Sequence, residues 1–221
     1  MPQSNNGCHE ELYSLDDEIW ICQFDDETAR RFRAQVMHQS KTDPNAPIVI
    51  YINSYGGSAD ALACMVDTLE EVPNAVITVC MGKAMSAGAI LLSLGDMRFC
   101  APNSRIMVHE LQIGTTGNVH DVNGDANESL RLNEYWLGRL AAKCHIKGGY
   151  AGLRAMMKSF DARDIYLSAE DAKKMGIVDH VGVPHVEMQT RHKICTNTIV
   201  KKIMKEKEVS DGITKTRSRK E

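Results

Sequence analysis

The chain has 221 residues, of which 43% are hydrophobic and 25% are charged, a balance that is ordinary for a folded protein and excludes a largely disordered one. Its formal net charge of −3 gives no reason to expect nucleic acid as a partner. The apolar stretches are shorter than the roughly 20 residues of a membrane-spanning helix, and the first residues lack the basic flank and apolar core of a secretory signal. We therefore expect neither a membrane partner nor secretion.

The seven cysteines form an odd-numbered set without a C-x-x-C pair, and several of them lie inside apolar runs. This spacing does not match a zinc site, and an odd set makes a poor disulfide framework. We expect reduced, packed thiols in a reducing compartment, the cytoplasm, and neither a metal nor another cofactor.

Charge is unevenly distributed along the chain. Residues 191–221 carry ten lysines and arginines against four acids. No aromatic residues are interleaved with these charges, so a solvated extension is favoured over a nucleic-acid contact. We expect a short flexible segment at 1–16, one folded domain at 17–188, and a basic, loosely ordered tail at 189–221.

Short apolar runs alternate with helical patterns along the first hundred residues. The run at 47–53 is almost continuously apolar, which is typical of a strand buried on both faces of a parallel sheet. Alternation of strand and helix at this spacing predicts right-handed βαβ units. The predicted elements are strands at 18–23, 47–53 and 75–81, and helices from Asp25 or Asp26 to about Ser40, at 59–71 and at about 86–94.

The second half of the chain contains one long predicted helix, at 125–143. Its apolar residues lie on two sides, so it needs two partners, of which one could be a second subunit. The other predicted elements are strands at 97–100, 105–109 and 177–181, a loop rich in Gly, Thr and Asn at 113–124, and a short helix from the Ser168 cap to Gly176.

The segment at 82–89, G-K-A-M-S-A-G-A, places Ser86 where a buried strand turns into a helix. Small neighbours are needed where a nucleophile is exposed on a tight turn and a substrate backbone comes close. The free N–H groups and the positive dipole end of the following helix would face a reacting carbonyl. Serine is also a common helix cap, and by itself Ser86 fits that role more often than catalysis.

Further residues with suitable chemistry lie at the ends of predicted elements. His109 ends a strand, and since strand ends meet at one edge of a parallel sheet, it can reach a distant nucleophile. Asp164 lies shortly before the Ser168 cap, where a surface turn is the ordinary role for an aspartate. The segment N-S-Y-G-G at 53–57 ends a buried strand, and its glycines allow backbone N–H groups to face a ligand.

Four segments follow one another in the order Y-I-N-S-x-G-G, G-x-A-x-S-x-G-A, P-N-S-R-x-M-x-H and R-D-x-x-L-S-A. In combination they resemble the ClpP family of self-compartmentalised serine proteases, over about residues 18–183. The resemblance implies that Ser86 is the nucleophile, His109 the general base and Asp164 the residue that orients the imidazole. It also implies an oxyanion hole formed by the backbone N–H groups of Gly57 and Ala87. The substrate-binding residues that it implies are Gly56, Leu111, Ile113 and Gly114.

The same resemblance implies the fold and the assembly. The fold would be α/β, a crotonase/ClpP-like spiral of βαβ units with the helix at 125–143 as a protruding handle. Seven chains would form a ring, and two rings would interlock through their handles into a tetradecamer with the active sites inside. Peptides or unfolded proteins are the implied substrates. An AAA+ unfoldase is the implied partner, although only about seventeen residues precede the first strand, fewer than in the family's usual axial segment.

The sequence departs from the family pattern beside the candidate site. Tyr55 replaces the usual proline, and Ala87 replaces the usual methionine after the nucleophile, a change that keeps the backbone donor. Three alternatives to a serine endopeptidase stay open. They are a non-catalytic ring subunit of the same fold, a crotonase-fold acyl-CoA enzyme with a similar oxyanion hole, and a Ser/Lys dyad that uses Lys83.

Overall fold

The computed structural model describes residues 18–159 and 164–184, so the expectations for 1–16 and 189–221 fall outside the described residues. Within this part, the chain forms seven strands and six helices. In chain order they are β1 (Ile19–Ile21), α1 (Asp26–Thr42), β2 (Ile48–Ser54), α2 (Ala59–Glu71), β3 (Val76–Met85), α3 (Ala87–Ser93), β4 (Met97–Cys100), β5 (Arg105–His109), α4 (Val119–Lys143), α5 (Gly149–Ser159), β6 (Asp164–Ser168), α6 (Ala169–Lys174) and β7 (His180–Val181). None of these helices is both long and apolar enough to cross a membrane.

The strands form one sheet, in which β1, β2, β3, β4 and β7 are hydrogen-bonded neighbours in that order. All pairs along this path are parallel, as the alternation of strands and helices predicts. β5 lies parallel to β3 and antiparallel to β6. The α/β class with a parallel core is therefore confirmed, whereas the antiparallel strand β6 was not predicted.

β3 changes its partner along one edge. Its residues 77–80 pair with β4, and its residues 83–85 pair with β5. Between the two halves Gly82 has a φ of +93°, and its N–H donates to Ser104 Oγ over 2.7 Å. Because β5 replaces β4 at this point, the C-terminal end of β3 lies beside the first three residues of β5.

The hydrophobic core lies on the helix-covered face of the sheet. Every second residue of β2 is fully buried there, and Phe32 of α1 and Leu62 of α2 belong to the same core. The intervening residues of β2 are only half-buried, so the prediction of a strand buried on both faces is wrong. On this second face of the sheet, side chains of neighbouring strands pack on one another. Trp20, for example, stacks on Tyr51 with ring centroids 5.0 Å apart.

Several predicted boundaries differ from the observed ones. The long helix begins at Val119 rather than at 125, because the Asn118 side chain accepts the N–H groups of His120 and Asp121 and caps it within the predicted loop. Helix α5 was not predicted at all. The predicted strands at 18–23 and 177–181 shrink to the three residues of β1 and the two of β7, and β3 continues four residues beyond its predicted end at 81.

Only some of the cysteines are packed. Cys80, Cys100 and Cys144 are buried, and burial raises the pKa of Cys144 to about 11, so this thiol stays protonated at neutral pH. Cys22 and Cys64 are exposed, and for these two the expectation of packed thiols is wrong. All five are free thiols; the other two, Cys8 and Cys195, lie outside the described residues.

An ion pair joins β4 to the turn before β7. The Arg98 guanidinium lies 2.5 Å from the Asp179 carboxylate and also donates to the Gly176 carbonyl over 3.0 Å. The same carboxylate also accepts hydrogen bonds from Arg98 Nε and from the Arg98 backbone N–H. These hydrogen bonds from Arg98 hold the pKa of Asp179 below its ordinary value.

Candidate active site

Ser86 lies in the sharp turn between β3 and α3. It has a φ of 54° and a ψ of −122°, a backbone conformation that residues with a side chain rarely adopt. The serine occupies the position of a helix cap, but its side chain makes no capping hydrogen bond. Within the described residues the Ser86 hydroxyl has no hydrogen-bond partner at all, so the capping role that sequence alone favoured is not the one it fills.

His109 is brought to Ser86 by the pairing of β3 with β5. The Ser86 N–H continues this ladder and donates to the Met107 carbonyl over 2.9 Å, two residues before the histidine. Both Ser86 and His109 line one cleft, and the His109 side chain is only 11% exposed. The cleft is lined by Gly57, Ala59, Leu62, Ser86, Ala87, Ile90, Val108, His109, Leu111, Asn133, Trp136 and Leu137.

Asp164 is positioned by the antiparallel pairing of β5 with β6. It is the register partner of His109, so the two side chains project from neighbouring strands. The distance from His109 Nδ1 to Asp164 Oδ1 is 3.9 Å, which is about 1 Å longer than a hydrogen bond. The carboxylate side chain is 35% exposed. Arg163, which belongs to the same sequence motif, lies outside the described residues.

The glycine loop after β2 presses against the serine. Gly56 has a φ of +100°, and a Cβ on this residue would lie 2.7 Å from Ser86 Cβ. Buried Ser54 shapes the loop, since its Oγ accepts the Gly56 N–H over 3.0 Å. The Ser58 N–H donates to the Phe24 carbonyl. The N–H of Gly57, which lies between Gly56 and Ser58, has no partner among the described residues.

A second unpaired donor belongs to the first residue of α3. The N–H groups of a helix's first turn have no partner within the helix, and Ala87 is the first residue of α3. Ala87 and Gly57 both line the cleft that holds Ser86 and His109. The structure thus brings the two backbone donors nominated from sequence to the same site as the serine and the histidine.

The implied substrate-binding residues fall into two groups. Gly56 touches the serine turn, and Leu111 lines the cleft. Ile113, which is 50% exposed, and Gly114 lie further along an irregular exposed segment and do not line the cleft.

Three residues of α4 that line the cleft were not predicted as site residues. They are Asn133, Trp136 and Leu137, and all three are buried. A signal was present, because Asn133 lies three and four positions before Trp136 and Leu137 and therefore shares the buried face of the helix. A buried side-chain amide on an apolar helix face needs hydrogen-bond partners, and at Asn133 these partners lie beside the cleft.

Among the described residues, His109 is the one titratable side chain in the lining of the cleft. Lys83, on the strand before Ser86, is not part of the lining. Its ammonium group donates to Asn53 Oδ1 over 3.2 Å and lies 4.3 Å from the centre of the Tyr55 ring.

The comparison with protein families agrees with this geometry. A family model described as Clp protease matches residues 10–185. The match includes all thirteen elements of the described part, and with them the serine turn, the glycine loop and the β5–β6 pair. The chain therefore belongs to the Clp protease family, a family of peptidases.

Proposed function

We propose that the chain is a serine endopeptidase of the ClpP type, with Ser86 as nucleophile, His109 as general base and Asp164 as the residue that orients the imidazole. The observation that carries this proposal is the serine itself. Its hydroxyl has no hydrogen-bond partner among the described residues. The residue lies on a strained turn at the start of a helix and shares a cleft with a histidine held by the neighbouring strand.

In the proposed reaction, Ser86 Oγ attacks the peptide carbonyl and forms a bond to carbon while His109 accepts the hydroxyl proton. The 3.9 Å between His109 and Asp164 shortens to hydrogen-bond length as the imidazole becomes charged, because the carboxylate then attracts an imidazolium. His109 returns the proton to the leaving amine. Water then hydrolyses the acyl-enzyme with the same histidine as base.

The tetrahedral intermediate carries a negative oxygen, and we propose that the N–H groups of Gly57 and Ala87 bind it. Neither N–H group has an acceptor among the described residues, so neither has to give up a hydrogen bond in order to bind the oxyanion. In comparable hydrolases one such donor contributes about 3 kcal/mol of transition-state stabilisation. The start of α3 adds the positive end of a helix dipole.

The alternatives are supported less well by the contacts in the cleft. A crotonase-type acyl-CoA enzyme would need a carboxylate beside the oxyanion hole, and the described lining includes no Asp or Glu. A Ser/Lys dyad would need Lys83 at the serine, yet its ammonium contacts Asn53 and Tyr55. A non-catalytic ring subunit would have no use for an unbonded hydroxyl on a strained turn.

We further propose the assembly that is usual for the family: two heptameric rings that enclose the active sites, with an AAA+ unfoldase as partner and unfolded polypeptides as substrates. The first half of α4 supports a contact between rings. Val119 and Leu130 on this half are 73% and 65% exposed, whereas the buried residues of the helix all lie between Asn133 and Ala141.

The decisive experiment replaces the proposed nucleophile. Ser86→Ala should abolish hydrolysis of a fluorogenic peptide and covalent labelling by a fluorophosphonate, with the fold unchanged by circular dichroism. Ser93→Ala is the matched control, since this hydroxyl lies on the same helix, binds the Ile90 carbonyl and does not line the cleft. Wild-type protein that is neither labelled nor active in its assembled state would contradict the proposal and favour the non-catalytic subunit.

A further inference from the structure

We propose that Asn133 is a positioning residue for the peptide-binding segment that follows His109; this inference rests on the proposed function. Asn133 lies on α4, is buried, and faces the cleft. Its carboxamide joins the backbone of the segment to helix α5, and it thereby fixes where the segment leaves the strand that carries the base.

The first contact holds the segment to α4. The Leu111 N–H donates to Asn133 Oδ1 over 2.8 Å. Leu111 is only two residues beyond His109, and residues 110–116 have no regular secondary structure. The segment therefore has no ladder of its own to define its path, and this hydrogen bond at its start supplies a fixed point.

The second contact fixes the orientation of the amide. Asn133 Nδ2 donates to the Tyr150 hydroxyl on α5 over 3.1 Å. Because the Leu111 N–H requires an oxygen, the nitrogen of the amide must face Tyr150, and both ends of the side chain are satisfied. A flip of the amide would leave two buried donors facing each other.

The contacts then return to the segment and close a ring. The Arg154 guanidinium lies 5.7 Å from the centre of the Tyr150 ring and donates to Glu110 Oε1 over 2.8 Å. Glu110 directly precedes Leu111. The residues between the catalytic strand and the binding segment are thus tied to α4 by a buried amide and to α5 by an exposed ion pair.

This arrangement predicts which step of catalysis depends on Asn133. The amide does not lie on the path of the proton between Ser86 and His109 in the proposed mechanism. If the segment binds the peptide substrate through its backbone, as the proposed function requires, Asn133 sets where that backbone starts, and a misplaced backbone weakens substrate binding. The loss should therefore appear mainly in KM.

The experiment compares Asn133→Leu, which leaves the Leu111 N–H without an acceptor, with Asn133→Asp, which retains an acceptor oxygen. For a fluorogenic peptide of about ten residues we expect KM to rise about tenfold in Asn133→Leu, with kcat and the fluorophosphonate labelling rate changed less than about threefold. Asn133→Asp should keep KM within about threefold of wild type. Asn45→Leu makes the same change at an exposed position in the loop before β2, away from α4, and should alter none of these values.

Hydrogen exchange supplies a readout that does not depend on activity. In Asn133→Leu the backbone amides of residues 110–114 should exchange at least about tenfold faster than in wild type. Exchange of the α4 amides should stay unchanged. Unchanged exchange and unchanged KM in a folded Asn133→Leu would overturn the proposal. If this variant does not fold, Tyr150→Phe takes its place, and the same two unchanged readouts overturn the proposal there. Wild type that protects these amides but hydrolyses no peptide would contradict the proposed function alone.

Discussion

Gly56 lies close against Ser86 in the candidate site. Both have positive φ angles, and the glycine lies against the serine's own Cβ and against the carbonyl of Met85. Strained backbone of this kind persists only where the surrounding structure holds it, and here the ladder from Ser86 to β5 and the Ser54 hydrogen bond provide that support. The position of the serine thus depends on the absence of a side chain at residue 56.

Gly56→Ala should therefore damage catalysis more than stability. The added Cβ would lie 2.7 Å from Ser86 Cβ and 2.9 Å from the Met85 carbonyl oxygen, so the serine turn must move. A displacement of about 1 Å at a nucleophile lowers kcat/KM about 100-fold. Gly138→Ala, on the second half of α4, is the control, because the nearest atom to its Cβ would be Tyr150 Cβ at 4.0 Å. Peptidase activity of Gly56→Ala within tenfold of wild type would contradict this account of the turn.

At the same scale, sequence could nominate side chains but could not predict the distances between them. Ser86 and His109 could be nominated because each ends a strand, and strand ends meet. The 3.9 Å between His109 and Asp164 depends on the register of β5 with β6, and β6 was not predicted. Asn133 was missed as a site residue because its partners come from the segment after β5 and from α5, which is another element that sequence did not predict.

Among the secondary-structure elements, β4 and β7 depend most clearly on an ion pair. Within the described residues β7 is two residues long and pairs with β4 alone, at the edge of the sheet, so its own ladder stabilises it little. Arg98 and Asp179 supply further contacts, with hydrogen bonds from both the guanidinium and the backbone N–H of Arg98. The edge of the sheet at β7 is therefore stabilised by the Asp179 carboxylate, whose charge depends on pH.

The stability of the fold should accordingly fall in acid. The pKa of Asp179 is lowered in the folded state, so its contribution is complete above the ordinary pKa of about 4 and is lost as the pH falls from there through the lower, folded-state value. Asp179→Asn should lower the free energy of unfolding by about 2 kcal/mol at pH 7, and the difference from wild type should shrink below about pH 4. Urea unfolding across pH measures both.

The exposed acid Asp67 on α2 serves as a control for this experiment, and Asp67→Asn should leave the unfolding free energy unchanged within about 0.5 kcal/mol. A difference between Asp179→Asn and wild type that persists undiminished at pH 3 would show that the carboxylate charge is not what stabilises β7.

Sequence predicted the bounds of elements well where the hydrophobic pattern agreed with the residues that begin and end helices and strands. The bounds of α2, β4 and β5 were predicted to the residue. Helix α4 was started six residues late because Gly, Thr and Asn in 113–124 favour a loop, whereas Asn118 in fact caps a helix that passes through Gly124. Helix α5 begins at Gly149, a poor helix former that hides the start of its pattern.

For the whole molecule, the first half of α4 is the feature that points beyond a single chain. It carries exposed apolar residues, and the residues that pack on the body all belong to its second half. Sequence detected apolar residues on two sides of this helix and so predicted a second partner. It could not show that Leu130 is exposed in one chain, because burial is decided by how far the helix extends past α5 and the sheet.

Leu130→Glu should separate the proposed double ring. A charge placed at a contact between rings costs desolvation, while the residue's 65% exposure means that the fold of each chain tolerates it. Native mass spectrometry should show half the wild-type mass, and peptidase activity should fall at least about tenfold. Asn45→Glu adds the same charge in the exposed loop before β2 and should leave the mass unchanged. An intact double ring in Leu130→Glu would contradict a handle contact at this residue.

The single hydrogen bond from the Ser86 amide to Met107 has a consequence for how the protein loses activity. The proposed nucleophile is bonded to β5 two residues before the proposed base, so the two cannot drift apart while β3 and β5 stay paired. Fraying of β1 or β7 at the margins would leave their separation untouched. On heating, the chemistry should therefore survive until the middle of the sheet itself comes apart, and then vanish abruptly rather than fade.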